Sequence, residues 1–209
     1  MQPLRTISLW MDQLDEPLCA RPALREDLHA DVCIIGAGYT GLWTAYYHKR
    51  QAPQLNIVVI DANIAGFGAS GRNGGFVLQG WSEGLSAIER RCGKQTAAAL
   101  FRLSLEGVDI VRDTIARHQL PGCAATTGKL SVVRYDDADN LQRTRDRMAR
   151  DFDFNLEYLD TQALRSRLNT DRYFQGLRDS HGFHFHPLNY CLGLAELVEL
   201  AGGRIHEQS

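Results

Sequence analysis

Cysteine is scarce in this chain and follows no pattern. The five residues, Cys19, Cys33, Cys92, Cys123 and Cys191, are odd in number and never form a CxxC pair. That arrangement speaks against a disulfide framework and a zinc cluster, and a reducing, cytoplasmic compartment is the expectation. Long hydrophobic runs are lacking as well. No stretch reaches the roughly 18 apolar residues of a membrane span, and the opening "MQPLRTISLWMDQLDEPLCARPAL" holds no continuous apolar segment of signal-peptide length. Charge of one sign is also absent. With 23 Lys and Arg against 25 Asp and Glu, the formal net charge is -2 over 209 residues, so neither nucleic acid nor an anionic membrane surface is an expected partner. The arginines at Arg143, Arg145, Arg147 and Arg150 alternate with acids and read as a solvated helix face. What is present is enough apolar sequence for one large domain or two small ones.

Glycine is where the sequence becomes specific. Residues 31–41 read "DVCIIGAGYTG": an apolar run of strand length, then Gly36, Gly38 and Gly41 in a GxGxxG spacing. The breaker-free segment "LWTAYYHKRQ" predicts a helix that ends at Ala52-Pro53, and "LNIVVIDA" predicts a second buried strand closing on Asp61. Asp61 lies about 20 residues beyond Gly41, completing the strand, glycine turn, helix, strand and acid order of a dinucleotide site. Each part has a physical task. Gly36 allows the tight turn, Gly38 lets backbone approach a pyrophosphate, and Gly41 lets the helix lie close to the strand. Amides at the helix start meet the phosphates, where the helix dipole favours negative charge. Asp61 is placed to accept from both ribose hydroxyls and would repel a 2′-phosphate, which disfavours NADP. A plain βαβ unit with incidental glycines is the alternative.

Spacing alone does not separate NAD from FAD. The second glycine cluster, "GASGRNGG" at Gly68–Gly75, leaves the carboxyl end of the second strand, the edge at which open α/β sheets bind ligands. Small residues there admit a large planar group. Arg72 and Asn73 offer donors to phosphate or ring oxygens, their alternative being a solvated arginine and a turn asparagine.

Together "DVCIIGAGYTGL" and "DANIAGFGASGRNGG", preceded by "ARPAL", resemble the FAD-dependent amine and amino-acid oxidoreductases of the D-amino-acid oxidase type. The likeness is dense from about Trp10 to Gly80 and mainly architectural from there to Ser209. It implies FAD held by Gly36, Gly38, Gly41 and Asp61, with Ser70, Arg72, Asn73, Gly74 and Gly75 running past the pyrophosphate toward the flavin. The implied fold is α/β: a Rossmann-like FAD-binding domain with an α+β substrate domain inserted. Residues 1–80 would form the N-terminal segment and first part of the FAD domain, 81–183 part of the substrate domain, and 184–209 the return to the FAD domain. Members of that family continue well past the length of this chain, so the resemblance implies that the C-terminal half of the fold lies outside it. The implied reaction takes hydride from the carbon beside an amine nitrogen of a small amine or amino acid. An NAD-dependent dehydrogenase and a non-catalytic dinucleotide-binding fragment are the other readings.

Downstream, Ala97, Phe101, Leu105, Val108, Val111 and Ile115 mark an amphipathic helix from Lys94 to Gln119. "GKLSVVRY" and "NLEYL" predict strands, "DDADNLQRTRDRMARDF" a polar helix, and "DTQALRSRL" a short helix capped by Asp160. His184 and His186 alternate with Phe183 and Phe185, which admits a metal pair, but no further ligand lies at a suitable spacing. Pro187 is placed to open a helix with Cys191, Leu194, Val198 and Ala201 on its buried stripe, Gly202-Gly203 to end it, and "RIHEQS" to begin a further parallel strand. No catalytic acid or base is singled out; Trp81, Tyr190 and His186 are candidate cleft residues for which core or capping roles are the simpler reading.

Overall fold

The computed structural model describes residues 8–14 and 18–209. In chain order its elements are α1 (Leu9–Asp12), β1 (Val32–Ile35), α2 (Tyr39–Gln51), β2 (Ile57–Ile60), a 3-10 turn (Ala69–Gly71), β3 (Phe76–Val77), α3 (Leu85–His118), β4 (Thr126–Val132), α4 (Ala138–Phe152), β5 (Glu157–Leu159), α5 (Thr161–Arg167), β6 (Gly176–His184), α6 (Pro187–Leu200) and β7 (Arg204–His206). They form two compact units. One comprises the described residues up to Gly75 with Ile115–Ala124 and His186–Ser209, the other Phe76–Thr114 and Ala125–Phe185.

In the first unit β1, β2 and β7 make a parallel sheet in that order, with Val32 opposite Ile57 and Val59 opposite Ile205. Ile57, Val58 and Val59 of β2 are all buried, as the unbroken apolar run requires of a strand covered on both faces. Each such side chain contributes about 1.5–3 kcal/mol by leaving water. β1 departs from that expectation: its burial alternates, Cys33 is exposed and Ile35 is 86% exposed. Among the described residues β1 pairs with β2 alone, so it forms one edge of the sheet. Helices α2 and α6 pack together around Leu42, Ala45, Leu188, Cys191, Leu194 and Val198. At the end of α2, Ala52 stops the helix, and the buried Lys49 ammonium donates to the carbonyls of Pro53 (2.7 Å) and Leu55 (2.9 Å), closing the turn into β2. Pro187 does open α6, His186 caps it, and the chain turns after it through Gly202 at φ 87°. Ala201 is the C-cap of α6 rather than part of its buried stripe. "RIH" does become a parallel strand beside β2.

In the second unit β6 is the central strand of an antiparallel sheet, flanked by β4 on one side and by β3 and β5. Strand β4 starts two residues earlier than the sequence pattern predicts because Thr126 pairs with His184; a register shift between Thr127 and Lys129 then carries it to Val132 opposite Gly176. Helix α3 also starts earlier, at Leu85, and breaks at Gly93 (φ 80°, ψ 162°), so the periodic stretch from Lys94 is only its second segment. Phe101 sits edge-on against Phe152 (5.3 Å) and Phe154 (5.4 Å) in a core with Ile88 and Ala97. Asp160 caps α5 by accepting from the Ala163 amide at 2.8 Å. Three arginines of α4 form ion pairs: Arg145 with Asp146 (2.7 Å), Arg147 with Glu89 (2.6 Å) and Arg150 with Asp151 (2.7 Å). Among the described residues no helix is long and apolar enough to cross a membrane, and no three His, Cys, Asp or Glu side chains come together to hold a metal ion.

Candidate functional site

Every residue expected to bind the cofactor lies in the first unit, around the start of α2. β1 ends at Ile35, and Gly36 turns the chain at φ 104° while its amide donates to Ile60 O at 2.8 Å, so the turn is tied to the end of β2. Helix α2 begins directly after Gly38, its N-cap. At Gly41 a Cβ would fall inside the envelope of the Gly36 carbonyl oxygen and 3.2 Å from the Ile34 side chain, so only glycine lets the helix lie this close to the turn. Beside Gly36 and Gly68, by contrast, nothing lies within 4 Å of where a Cβ would stand. The backbone there borders open space, which is the approach a bulky phosphate-bearing ligand needs.

Asp61 follows β2 directly and points back at the glycine turn. Its Oδ2 accepts from the Ala37 amide at 2.8 Å and its Oδ1 from the Asn63 amide at 2.7 Å. Its own amide donates to His206 O at 2.9 Å, which fixes the residue against β7. Each carboxylate oxygen therefore has one partner and keeps capacity for a second, such as a ribose hydroxyl. The Ala37 carbonyl accepts from Gly66 N at 3.0 Å and from the Cys191 thiol at 3.6 Å. Burial pushes that thiol up to about 12, so it stays protonated and a donor.

The Gly68–Gly75 loop closes against the same helix start. Ser70 Oγ accepts from the Tyr39 amide at 2.9 Å, satisfying one of the orphan donors of α2. At Gly71 a Cβ would collide with Gly66 O and lie 2.9 Å from the Leu188 side chain. Asn73 is absorbed by the loop itself: its Nδ2 donates to Ala69 O (3.2 Å) and Ser70 O (2.9 Å), and its Oδ1 accepts from Gly75 N (2.8 Å). Arg72 is exposed, with its guanidinium 4.4 Å over the Phe67 ring. Gly74 is exposed, and Gly75, at φ 72°, is buried.

Of the three cleft candidates, Tyr190 is 2% exposed beside Tyr39, at 5.5 Å between ring centres. His186 caps α6, its Nδ1 accepting from Asn189 N at 3.1 Å. Burial holds its imidazole below the ordinary value, partly offset by the backbone of His186 itself and of Trp10. Trp81, in the other unit, donates to Leu100 O at 3.0 Å. His184 ends β6 whereas His186 caps a helix, so the two do not share a strand.

Sequence reasoning missed the supports of the site. Glu207, 1% exposed, accepts from the Arg21 amide (2.7 Å), the Arg21 guanidinium (3.1 Å) and the Ala65 amide (2.8 Å), bolting the loop after Asp61 to the N-terminal segment. Burial opposes the charge of Arg21, but its ion pairs with Glu199 and Glu207 outweigh that and raise its pKa. Ser8 and Trp10 hold the glycine loop in the same way, through Gly71 O at 3.3 Å and Asn73 O at 2.7 Å. No local spacing announces partners separated by 63 to 186 positions.

Residues 31–209 match the model of the FAD dependent oxidoreductase family. Gamma-glutamylputrescine oxidoreductase of Escherichia coli K12 is 39% identical over 187 residues, covering 89% of this chain and 43% of that protein. The probable oxidoreductase OrdL of Haemophilus influenzae is 35% identical over 193 residues, with coverages of 90% and 43%. The chain thus spans less than half the length of these curated relatives. Among solved structures, L-amino acid deaminase from Proteus vulgaris aligns at TM-score 0.68 with 20% identity over 91% of this chain and 43% of that one. An L-alpha-glycerophosphate oxidase from Mycoplasma pneumoniae with FAD bound aligns at 0.66 with 16% identity over 86% and 44%. These likenesses carry the fold. With a family match that runs from residue 31 to residue 209, the chain belongs to the FAD dependent oxidoreductase family.

Proposed function

We propose that this chain carries the adenine-dinucleotide half of the FAD site of an oxidoreductase acting on amines or amino acids. The observation that carries the reading is the Asp61 carboxylate, held 2.8 Å from the Ala37 amide across the glycine turn, where it meets an adenosine ribose placed against the start of α2. In this reading Asp61 accepts from the ribose hydroxyls, and the turn from Gly36 to Gly41 brings backbone amides and the positive end of the α2 dipole to the pyrophosphate. The Ser70 hydroxyl, already accepting from Tyr39, has its own proton to give to a phosphate oxygen. Arg72 adds charge by swinging off Phe67, and Asn73, Gly74 and Gly75 keep the loop small and shaped beside the flavin. Because the family is FAD-dependent, the nicotinamide alternative falls away.

Bound flavin would supply an acceptor for the two electrons that leave as hydride from the carbon beside the substrate's amine nitrogen. The residues described here bind and orient the cofactor and leave the hydride step to it. The test is titration of the purified chain with FAD, followed by flavin fluorescence and absorbance. Saturable binding is expected, with Asp61→Ala weakening it about tenfold to a hundredfold, the cost of losing a charged acceptor. A chain that ignores FAD, or an Asp61→Ala protein that binds as tightly as the parent, would falsify the proposal. For substrate class, small amines and amino acids added anaerobically to an FAD-loaded protein spanning the length of the curated relatives should bleach the flavin, whereas the 209-residue chain alone should turn over little or none; bleaching of the longer protein by none of them defeats that part of the reading.

A further inference from the structure

A loop that passes an anion must keep its carbonyl oxygens turned away from it. In the Gly68–Gly75 loop five carbonyls are engaged in this way. Gly68 O accepts from Gly71 N (3.2 Å), Ala69 O from Arg72 N (3.2 Å) and Asn73 Nδ2 (3.2 Å), and Ser70 O from Asn73 Nδ2 (2.9 Å). These are bonds the loop makes with itself. The carbonyls of Gly71 and Asn73 are held differently: Gly71 O accepts from Ser8 Oγ at 3.3 Å and Asn73 O from Trp10 Nε1 at 2.7 Å. Both donors come from the start of the chain, upstream of the stretch that matches the family model at residues 31–209.

The donors are well placed to hold. Ser8 caps α1, its Oγ accepting from Met11 N at 3.3 Å while donating to Gly71 O. Met11 is 1% exposed and anchors the short helix. The Trp10 ring packs edge-on against His186 at 5.0 Å, and His186 caps α6, so the indole has a rigid backing. Two fixed donors thus act on the stretch of loop that presents Arg72 between them. We infer that Ser8 and Trp10 are positioning residues for the cofactor loop: α1 braces the Gly71 and Asn73 carbonyls away from the pyrophosphate and flavin, so that the loop offers its donors to them. The inference rests on the FAD site proposed above and adds to it an element outside the family's matched stretch.

The experiment uses four substitutions in the 209-residue chain. Trp10→Phe keeps an aromatic ring against His186 and removes the Nε1 donor. Ser8→Ala removes the hydroxyl, Ser8→Asp keeps an α1 cap acceptor but cannot donate to Gly71 O, and Ser8→Thr keeps both functions. Two readouts are taken: the dissociation constant for FAD, and hydrogen exchange of peptides covering residues 68–75 without cofactor. Trp10→Phe, Ser8→Ala and Ser8→Asp should each weaken FAD about fivefold to tenfold, the cost of one unmade hydrogen bond, and speed exchange in the loop while peptides from β2 and β7 stay as in the parent. Ser8→Thr should restore both. If the parent binds FAD and all four variants bind within twofold of it, the inference is overturned, even where loop exchange quickens, because the brace would then be structural only. If Ser8→Asp behaves as the parent while Ser8→Ala does not, helix capping is the cause and the inference fails again. A parent that does not bind FAD sinks the cofactor reading beneath it, which is a separate outcome.

Discussion

The residue that controls the turn most tightly is Gly41. Nothing about its φ is unusual; what excludes a side chain is the Gly36 carbonyl on one side and Ile34 at 3.2 Å on the other. Replacing it with alanine forces the α2 start off the β1 end, and both carry the site, so relaxation moves the Ala37 amide away from Asp61 as well. Gly41→Ala should lower stability by about 2–4 kcal/mol in denaturant melts. A variant melting within about 0.5 kcal/mol of the parent would mean that the helix is free to shift and that close packing is not the reason for glycine here. Glycine at position 68 is under no such steric demand, since it faces open space. Each glycine cluster combines two situations: close backbone packing at Gly41 and at Gly71, and open space beside Gly36, whose φ of 104° also favours glycine, and beside Gly68.

At the scale of elements, α6 is the helix whose capping depends on pH. His186 Nδ1 accepts from Asn189 N at 3.1 Å, a bond available only to the neutral ring. Burial lowers its pKa from the ordinary 6.5, so the unfolded chain takes up the proton first. The stability this group contributes is therefore present above that ordinary value and lost as pH falls through the lowered one, where the cap bond breaks and a cation appears at the positive end of a helix. The loss should stay under about 1 kcal/mol, because solvent reaches the half-buried ring. His186→Asn, which caps without titrating, should flatten the fall in denaturant midpoint between about pH 7 and pH 5; equal slopes in parent and variant would discount the cap. The same helix shows what the sequence makes legible. Pro187, the Cys191, Leu194 and Val198 stripe and Gly202 are local signals, and the structure uses them locally. The starts of β4 at Thr126 and of α3 at Leu85 depend on pairing with β6 and on a break at Gly93, neither of which periodicity encodes. In the site, the glycine turn and Asp61 were readable because their spacing is short. Trp10, Arg21 and Glu207 were not, because their partners lie far along the chain.

On the scale of the whole molecule, β1 is the least settled surface. Parallel strands gain their stability from cover on both faces, yet "VCII" leaves Cys33 open to solvent and Ile35 86% exposed, at a sheet edge formed by β1. An uncovered apolar face beside a row of unpaired backbone groups is a template for another strand. The 209-residue chain should therefore self-associate as its concentration rises. Sedimentation velocity in excess reductant separates this from disulfide linkage through the exposed Cys33. Ile35→Lys puts a charge on the uncovered apolar face beside the edge and should weaken association about tenfold, while leaving the half-buried Val32 and Ile34 and the glycine turn in place. A parent that stays monomeric at every concentration, or an Ile35→Lys protein that associates as readily, would show that this face is protected by something other than pairing. The direction matters for the cofactor too. Gly36 follows Ile35 directly, so an associated strand crowds the turn that Asp61 faces, and FAD affinity should rise in the lysine variant wherever the parent is associated.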